Sequence, residues 1–186
     1  MAEYFDICDE NTGLPTGQTA ERAVVHREGL CHRTAHVWLT RTVGGRPEIL
    51  LQKRAADKDS FPGCLDTSSA GHIPAGQEPK DSALRELAEE LGITAAADEL
   101  RYIGTFRIRY EQPFHGVMFR DNEFANVFVY ERPADIADMT IQREELESVG
   151  WYDFAETLRA VRERDPLYCV PLGGLELLGR EMGWTV

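Results

Sequence analysis

The chain contains 186 residues, 42% of them hydrophobic, which is enough for one domain with its own core. Its formal net charge of -12 repels polyanions, so we expect neither a nucleic-acid polymer nor a membrane surface as a partner. The cysteines are scattered, which excludes a zinc knuckle and a dense disulfide framework. Because no signal-like segment and no apolar run of about 18 residues occurs, we expect a cytoplasmic protein.

Alternating apolar and polar residues, rich in β-branched and aromatic side chains, predict a series of strands with helices between them. The two strands that flank the Gly-Gly-Arg-Pro turn at 44–47 are predicted to form a hairpin. Asp153 is expected to cap the helix that follows the last strand. The predicted strands span 3–8, 34–43, 48–54, 100–110, 123–131 and 148–154, and two late helices span 154–164 and 172–183. This interleaving predicts a mixed sheet with helices on both faces.

A further helix is predicted over 79–91, because Pro79 suits the first helical position and Gly92 suits the residue after the end. We expect one apolar face to pack on the core and one acidic face to lie opposite it. The apolar face comprises Ala83, Leu84, Leu87, Ala88 and Leu91, and the acidic face comprises Glu86, Glu89 and Glu90.

Like charges this close on a helix cost a few tenths of a kcal/mol per pair. The ordinary explanation is a solvated outer face, since glutamate is common there. A hard divalent cation is the alternative, because Mg²⁺ prefers carboxylate oxygens and keeps part of its shell for water and substrate phosphates. The acidic face therefore indicates a site for Mg²⁺ and a diphosphate.

The spacing around these glutamates resembles the Nudix box. In that box a glycine is followed after five residues by Glu, and after seven more by Arg-Glu, an aliphatic residue, any residue, Glu-Glu, any residue, Gly and an aliphatic residue. The matching residues are Gly71, Arg85, Glu86, Leu87, Glu89, Glu90, Gly92 and Ile93. The chain departs from the box at Gln77, where a Glu is usual, and whether Glu78 replaces it stays open.

The resemblance implies a Nudix-type α/β/α sandwich with a mixed β-sheet and a loop-helix-loop catalytic motif at 71–93, in a single domain over 1–186. Members of the family cleave a diphosphate that is linked to another group, and they use Mg²⁺ or Mn²⁺. The catalytic residues that the resemblance implies are Glu86, Glu89, Glu90 and Arg85, of which the three glutamates also bind the metal. The missing charge at Gln77 bears on metal affinity rather than on the reaction.

Most of the chain also resembles type I isopentenyl-diphosphate isomerase, a Nudix-fold enzyme that shifts a double bond by proton transfer. The resemblance is carried by the segments HREGLCHRTAHVWL, ILLQKRAADKDSFPG, SSAGH and DNEFANVF. It implies a second metal site in which His32, His72 and Glu123 match ligands of the isomerase, His26 lies one residue from the position of the third histidine, and Asp121 stands in place of another glutamate. The alternative is that these histidines anchor loops through hydrogen bonds. The isomerase has a catalytic cysteine where this chain has Ala70, whose methyl group transfers no proton, so isomerisation is disfavoured.

An anionic substrate needs local cations in so acidic a chain. The candidate substrate-binding residues are Lys53, Arg54 and Lys58, each of which could equally be a solvated surface charge. The segment 111–124 is predicted to be a loop, and its Phe114, Met118 and Phe119 either cover the organic half of the substrate or pack on the core.

We therefore expect a Mg²⁺- or Mn²⁺-dependent hydrolase that cleaves the diphosphate linkage of a nucleoside diphosphate derivative or a similar organic diphosphate. Nucleotide sugars, dinucleotides and isoprenoid diphosphates stay open as substrates. Two alternatives remain: an isopentenyl-diphosphate delta-isomerase, and a Nudix module that binds a nucleotide without cleaving it. A homodimer is the candidate assembly, because dimers are the commonest symmetric oligomers.

Overall fold

The computed structural model describes residues 2–58 and 60–185. The chain begins with an antiparallel hairpin of β1 (Tyr4–Cys8) and β2 (Pro15–Glu21), followed by the short helix α1 (Arg22–Glu28). The main sheet consists of β3 (His32–Val43), β4 (Arg46–Arg54), β5 (Leu65–Asp66), β6 (Ser69–His72), β7 (Leu100–Phe114), β8 (Val117–Tyr130) and β9 (Leu146–Asp153). The remaining helices are α2 (Pro79–Leu91), α3 (Phe154–Arg162) and α4 (Leu172–Glu181), with 3-10 turns at Ala97–Glu99 and Ile136–Asp138.

The central strand of the sheet is β3, which is parallel to β8 on one side. Its other edge is shared, since β6 pairs with 34–37 and β4 pairs with 40–43, both antiparallel. The outer strands β7, β9 and β5 are antiparallel to their neighbours, so the sheet is mixed, as predicted. The predicted hairpin of β3 and β4 is also confirmed, and Gly44 and Gly45 at its turn both have positive φ angles.

Each face of the sheet is covered by helices that bury an apolar core. One core lies under α3 and α4 and includes Trp38, Ile49, Leu51, Val127, Phe154 and Leu178. The other core lies under α2 and includes Val37, Leu39, Leu50, Leu87, Leu91 and Phe128. This arrangement confirms the predicted α/β/α sandwich. Among the described helices, none is both long and apolar enough to cross a bilayer.

Helix α2 has the predicted bounds, with Pro79 in its first turn and Gly92 in the left-handed conformation at its end, at φ 70°. The predicted division into an apolar and an acidic face is wrong in two places. Ala88 is exposed, whereas Glu90 is buried. At about 100° per residue, Glu90 lies within about 20° of Ala83, so it belongs to the face that packs on the sheet.

Further differences concern the hairpin of β7 and β8 and the first part of the chain. The segment predicted as a loop at 111–124 is instead the outer part of a long hairpin of β7 and β8, which turns at 115–116. Phe114, Met118 and Phe119 therefore lie on strands, and that prediction is corrected. Strand β2 and helix α1 were not predicted from the sequence, although α1 contributes Arg22 and His26 to the site described next.

Candidate active site

A cavity of about 950 Å³ lies where α2, the sheet and the segment joining α3 to α4 meet. Strands β3, β6, β7 and β8 contribute to its floor, and α2 contributes a wall that carries all three glutamates of the predicted acidic face. The segment 161–172 forms a further wall. The cavity is large enough for a ligand of nucleotide size.

The glutamates are held in place by the strand and the arginine beside them. Arg85 forms an ion pair with Glu86 at 2.7 Å, and it donates to Glu89 at 2.8 Å and to the carbonyl of His72 at 3.2 Å. Glu86 lies directly against Gly71 of β6, since a Cβ at that position would be 2.1 Å from Oε1 of Glu86. Glycine at this position therefore leaves the space that the Glu86 carboxylate occupies.

Glu90 is the most buried of the three, at 6% exposure. One of its carboxylate oxygens accepts a hydrogen bond from the backbone N–H of Ala70 at 3.1 Å. Burial raises the pKa of Glu90 to about 8, because a carboxylate at this depth has lost most of its solvation. A divalent cation in the cavity would compensate for that loss, so the acidic wall fits Mg²⁺ or Mn²⁺ by donor type.

The carboxylates of Glu86, Glu89 and Glu90 line one cavity but do not meet at one point in the described structure, because Arg85 draws Glu86 and Glu89 towards itself.

Gln77, where the chain departs from the box, lies outside this cavity. The Oε1 atom of Gln77 accepts from the Ser82 hydroxyl at 3.1 Å, and neither Gln77 nor Glu78 belongs to the residues that line the cavity.

A second group of candidate ligands converges more closely. Nitrogen atoms of His26, His32 and His72 lie within 4.8 Å of one another, and so do ligand atoms of His32, Asp121 and Glu123. Oε1 of Glu123 is 3.5 Å from Nε2 of His32 and 3.6 Å from Nε2 of His72. Within the described residues, both ring nitrogens of His26 and the Nε2 atoms of His32 and His72 are buried without a hydrogen-bond partner. Such orphaned imidazole nitrogens beside carboxylates fit a transition-metal site.

The surroundings of the histidines favour the form that binds metals. Burial lowers the pKa of His26 to about 4 and lowers that of His72, so both rings are neutral at physiological pH. Nδ1 of His32 is 2.9 Å from the carbonyl of Leu30, which leaves Nε2 to face the group. The ring of Phe5, which is fully buried, stacks on the ring of His72 at 4.6 Å between centroids.

Two carboxyl groups complete this second site. Burial and the neighbouring Glu123 raise the pKa of Asp121. Burial also opposes ionisation of Glu123, but His32 and the other nearby imidazoles hold its pKa below the usual range. Each of the two carboxyl groups therefore disfavours ionisation of the other.

The predicted substrate-binding cations are already paired. Arg54 lines the cavity and donates to Asp66 at 3.1 Å and to the carbonyl of Ser60 at 2.9 Å. Lys58 lines the cavity and pairs with Glu145. Lys53 pairs with Glu147 at 2.8 Å and lies outside the cavity.

His36 lines the cavity and was missed by sequence reasoning. It is 6% exposed, and it lies opposite Ala70 in the antiparallel pairing of β3 with β6. A usable signal was present, since His36 lies on the same face of β3 as His32 and Thr34 by the period of two.

Comparison with known proteins identifies the family. The family model for the NUDIX domain matches residues 31–170. Nudix hydrolase 3 of Arabidopsis thaliana is 38% identical over 168 residues, which are 89% of this chain but only 21% of that relative. An uncharacterized Nudix hydrolase of Clostridium acetobutylicum is 39% identical over 77% of this chain and 66% of its own length. An isopentenyl-diphosphate Delta-isomerase of Dinoroseobacter shibae is 32% identical over 77% of this chain and 76% of its own length.

Solved structures share the fold. A protein of Deinococcus radiodurans superposes with a TM-score of 0.64 at 18% identity, covering 87% of this chain and 90% of that one. The Ap4A hydrolase of C. elegans superposes with a TM-score of 0.56 at 18% identity, covering 81% and 97%. At these identities the likeness shows the fold alone. The predicted resemblance to both Nudix hydrolases and the isomerase is confirmed by the relatives, and the chain belongs to the NUDIX domain family.

Proposed function

We propose that this chain hydrolyses the diphosphate linkage of an organic diphosphate with the help of Mg²⁺ or Mn²⁺. The observation that carries the proposal is that Glu86, Glu89 and Glu90 line one cavity, with Glu90 buried and Gly71 leaving room for the Glu86 carboxylate. Carboxylates placed in this way can hold a divalent cation beside a diphosphate, and one of them can accept a proton from a water molecule. The hydrolases among the relatives support the same reaction class.

In the proposed mechanism, Glu86, Glu89 and Glu90 would hold the ion. When bound, the ion neutralises diphosphate oxygens and holds Glu90 in its ionised form. Arg85 fixes the carboxylates of Glu86 and Glu89 through an ion pair to each. The carboxylate of Glu90 accepts the proton of a water molecule whose oxygen bonds to phosphorus, and the bond between that phosphorus and the bridging oxygen breaks.

The test is a panel of nucleoside diphosphates, nucleotide sugars, dinucleotides and isoprenoid diphosphates, assayed for products with Mg²⁺ and with chelator. We expect turnover that depends on the cation, and a loss of about 10²-fold or more in Glu86→Gln and in Glu90→Gln, as for other groups that act at the reacting centre. Glu131→Gln is the matched control, because Glu131 pairs with Arg101 outside the cavity. Equal turnover in the wild type and both site variants would refute the assignment.

Isomerisation of isopentenyl diphosphate is the second candidate, and the histidine group with Glu123 is the observation that favours it. Ala70 opposes it, because a methyl group neither donates nor accepts a proton. Incubation with isopentenyl diphosphate and analysis for the dimethylallyl isomer separates the two reactions. Rapid isomerisation without phosphate release would favour the isomerase and overturn the proposal.

A module that binds without cleaving is the remaining alternative, and tight nucleotide binding without turnover would identify it.

Four expectations from the sequence stay predictions: the second metal site at His26, His32, His72 and Glu123, the cytoplasmic location, the single domain and the homodimer. The solved structure of a Shewanella oneidensis NUDIX domain with ADP ribose makes ADP-ribose a useful member of the panel.

A further inference from the structure

The cavity is poor in free positive charge. Nine residues with carboxyl groups and five arginines or lysines line it, so an anionic ligand needs cations that are not already neutralised. Four of these five cations are paired with carboxylates: Arg22 with Glu3 at 3.0 Å, Arg54 with Asp66 at 3.1 Å, Lys58 with Glu145, and Arg162 with Glu176 at 3.0 Å.

Arg164 is the fifth, and in the described parts of the chain its guanidinium has neither an ion pair nor a side-chain hydrogen bond. It lies on the wall formed by 161–172, which faces the cavity together with the glutamates of α2. The neighbouring Asp165 forms no ion pair with Arg164 in the described residues, and its Oδ1 accepts from the N–H of Leu167 at 2.9 Å.

The backbone of Arg164 is also unusual. Helix α3 ends with a Schellman motif, in which the N–H of Arg164 donates to Val161 at 3.1 Å and the N–H of Asp165 donates to Ala160 at 3.0 Å. Arg164 occupies the left-handed position of this motif at φ 61°, where glycine is the favoured residue. A non-glycine residue at such an angle is disfavoured, and this kind of strain is concentrated at functional sites.

We propose that Arg164 is a substrate-binding residue, which binds phosphate oxygens of an organic diphosphate in the cavity. Its guanidinium offers several donors with the geometry of a phosphate group and is not committed to a partner. The inference rests on the proposed function only for the class of ligand, and it predicts binding whether or not the ligand is cleaved.

The variant Arg164→Gly gives two independent readouts. Relief of the left-handed strain raises the Tm, whereas the greater entropy of glycine in the unfolded chain lowers it, so the net change should stay within about 2–4 °C. Loss of the guanidinium weakens the binding of methylenediphosphonate, a diphosphate that resists hydrolysis, by about tenfold in calorimetry with Mg²⁺ present. With a substrate from the panel, KM rises while kcat stays within about twofold.

Two further variants distinguish the loss of the Arg164 guanidinium from the change in backbone strain and from the change in net charge. Arg164→Asn tolerates the left-handed angle and removes the charge, so it should weaken binding as Arg164→Gly does. Arg159→Ala removes the same charge from an exposed position of α3 that does not line the cavity, so it should leave binding unchanged.

The inference is overturned if Arg164→Gly binds methylenediphosphonate as tightly as the wild type does, or if Arg159→Ala weakens binding equally. A failure of the proposed function looks different, because the wild type would then bind the probe and cleave no member of the panel. In that case a selective loss of affinity in Arg164→Gly would still support the inference.

Discussion

The space above Gly71 gives a sharp test of how Glu86 is positioned. In Gly71→Ala, the new Cβ would lie 2.1 Å from Oε1 and 2.2 Å from Cδ of Glu86, whereas ordinary contacts begin at 3.4 Å. The carboxylate therefore has to withdraw by about 1.3 Å. A displacement of about 1 Å at a reacting centre can cost on the order of 10²-fold in rate, which corresponds to about 2.7 kcal/mol.

The fold should tolerate the substitution. Gly71 is not among the glycines with a positive φ angle, so alanine is compatible with its strand backbone, and only a flexible side chain has to move. We expect turnover to fall by about 10²-fold. Circular dichroism and the Tm should stay close to those of the wild type. Gly150→Ala is a suitable control, since its Cβ would press on Tyr152 at 3.1 Å, outside the cavity.

A double-mutant cycle shows whether the alanine acts through Glu86. If it does, Gly71→Ala should cost little further activity once Glu86→Gln has already removed the carboxylate, so the two effects should be far from additive. Full turnover in Gly71→Ala, or effects that add, would refute the claim that this glycine positions the carboxylate.

The remaining predictions concern packing and the histidine group. Leu87→Ala removes a fully buried side chain from the core under α2 and should lower the free energy of unfolding by about 2–5 kcal/mol in urea titrations. Gly92→Ala should cost at least about 1–2 kcal/mol by the same measurement, because φ is 70° and the Cβ would lie 3.0 Å from backbone atoms of Thr140. Phe5→Leu should weaken Co²⁺ binding at the histidines by about tenfold in absorption titrations, because Phe5 stacks on His72 and orients its ring. An unchanged free energy of unfolding in Leu87→Ala or Gly92→Ala, or an unchanged Co²⁺ affinity in Phe5→Leu, would contradict the role given to that residue.

Local signals predicted α2 and the central hairpin well. Pro79 and Gly92 mark the ends of the helix by their own backbone preferences, so its bounds needed no knowledge of the rest of the chain. The Gly-Gly turn between β3 and β4 likewise determines the hairpin. Sequence reasoning also proposed both groups of candidate ligands, the glutamates from the spacing of the box and the histidines from the resemblance to the isomerase. The structure brings the histidines together.

The predictions that were wrong or missing concern residues whose structure depends on contacts with distant parts of the chain. Pro113 in the segment 111–124 reads as a strand breaker, but β7 is the outer strand beside β8, and an edge strand tolerates a residue without an N–H. Strand β2 is almost wholly exposed, so it lacks the alternation by which strands are found. The paired state of Arg54 depends on Asp66, which is twelve residues away, and no local pattern predicts that contact.

The short strand β6 links the two candidate ligand groups. The N–H of Ala70 binds Glu90, the missing side chain of Gly71 makes room for Glu86, and His72 contributes its ring to the histidine group. Two of these three consecutive residues, Ala70 and Gly71, thus position the glutamates, and the third, His72, belongs to the histidine group. Because Ala70 contributes through its backbone, replacing a cysteine by alanine there removes proton transfer without disturbing the hydrogen bond to Glu90. This explains how the chain can resemble the isomerase over most of its length and still be suited to hydrolysis.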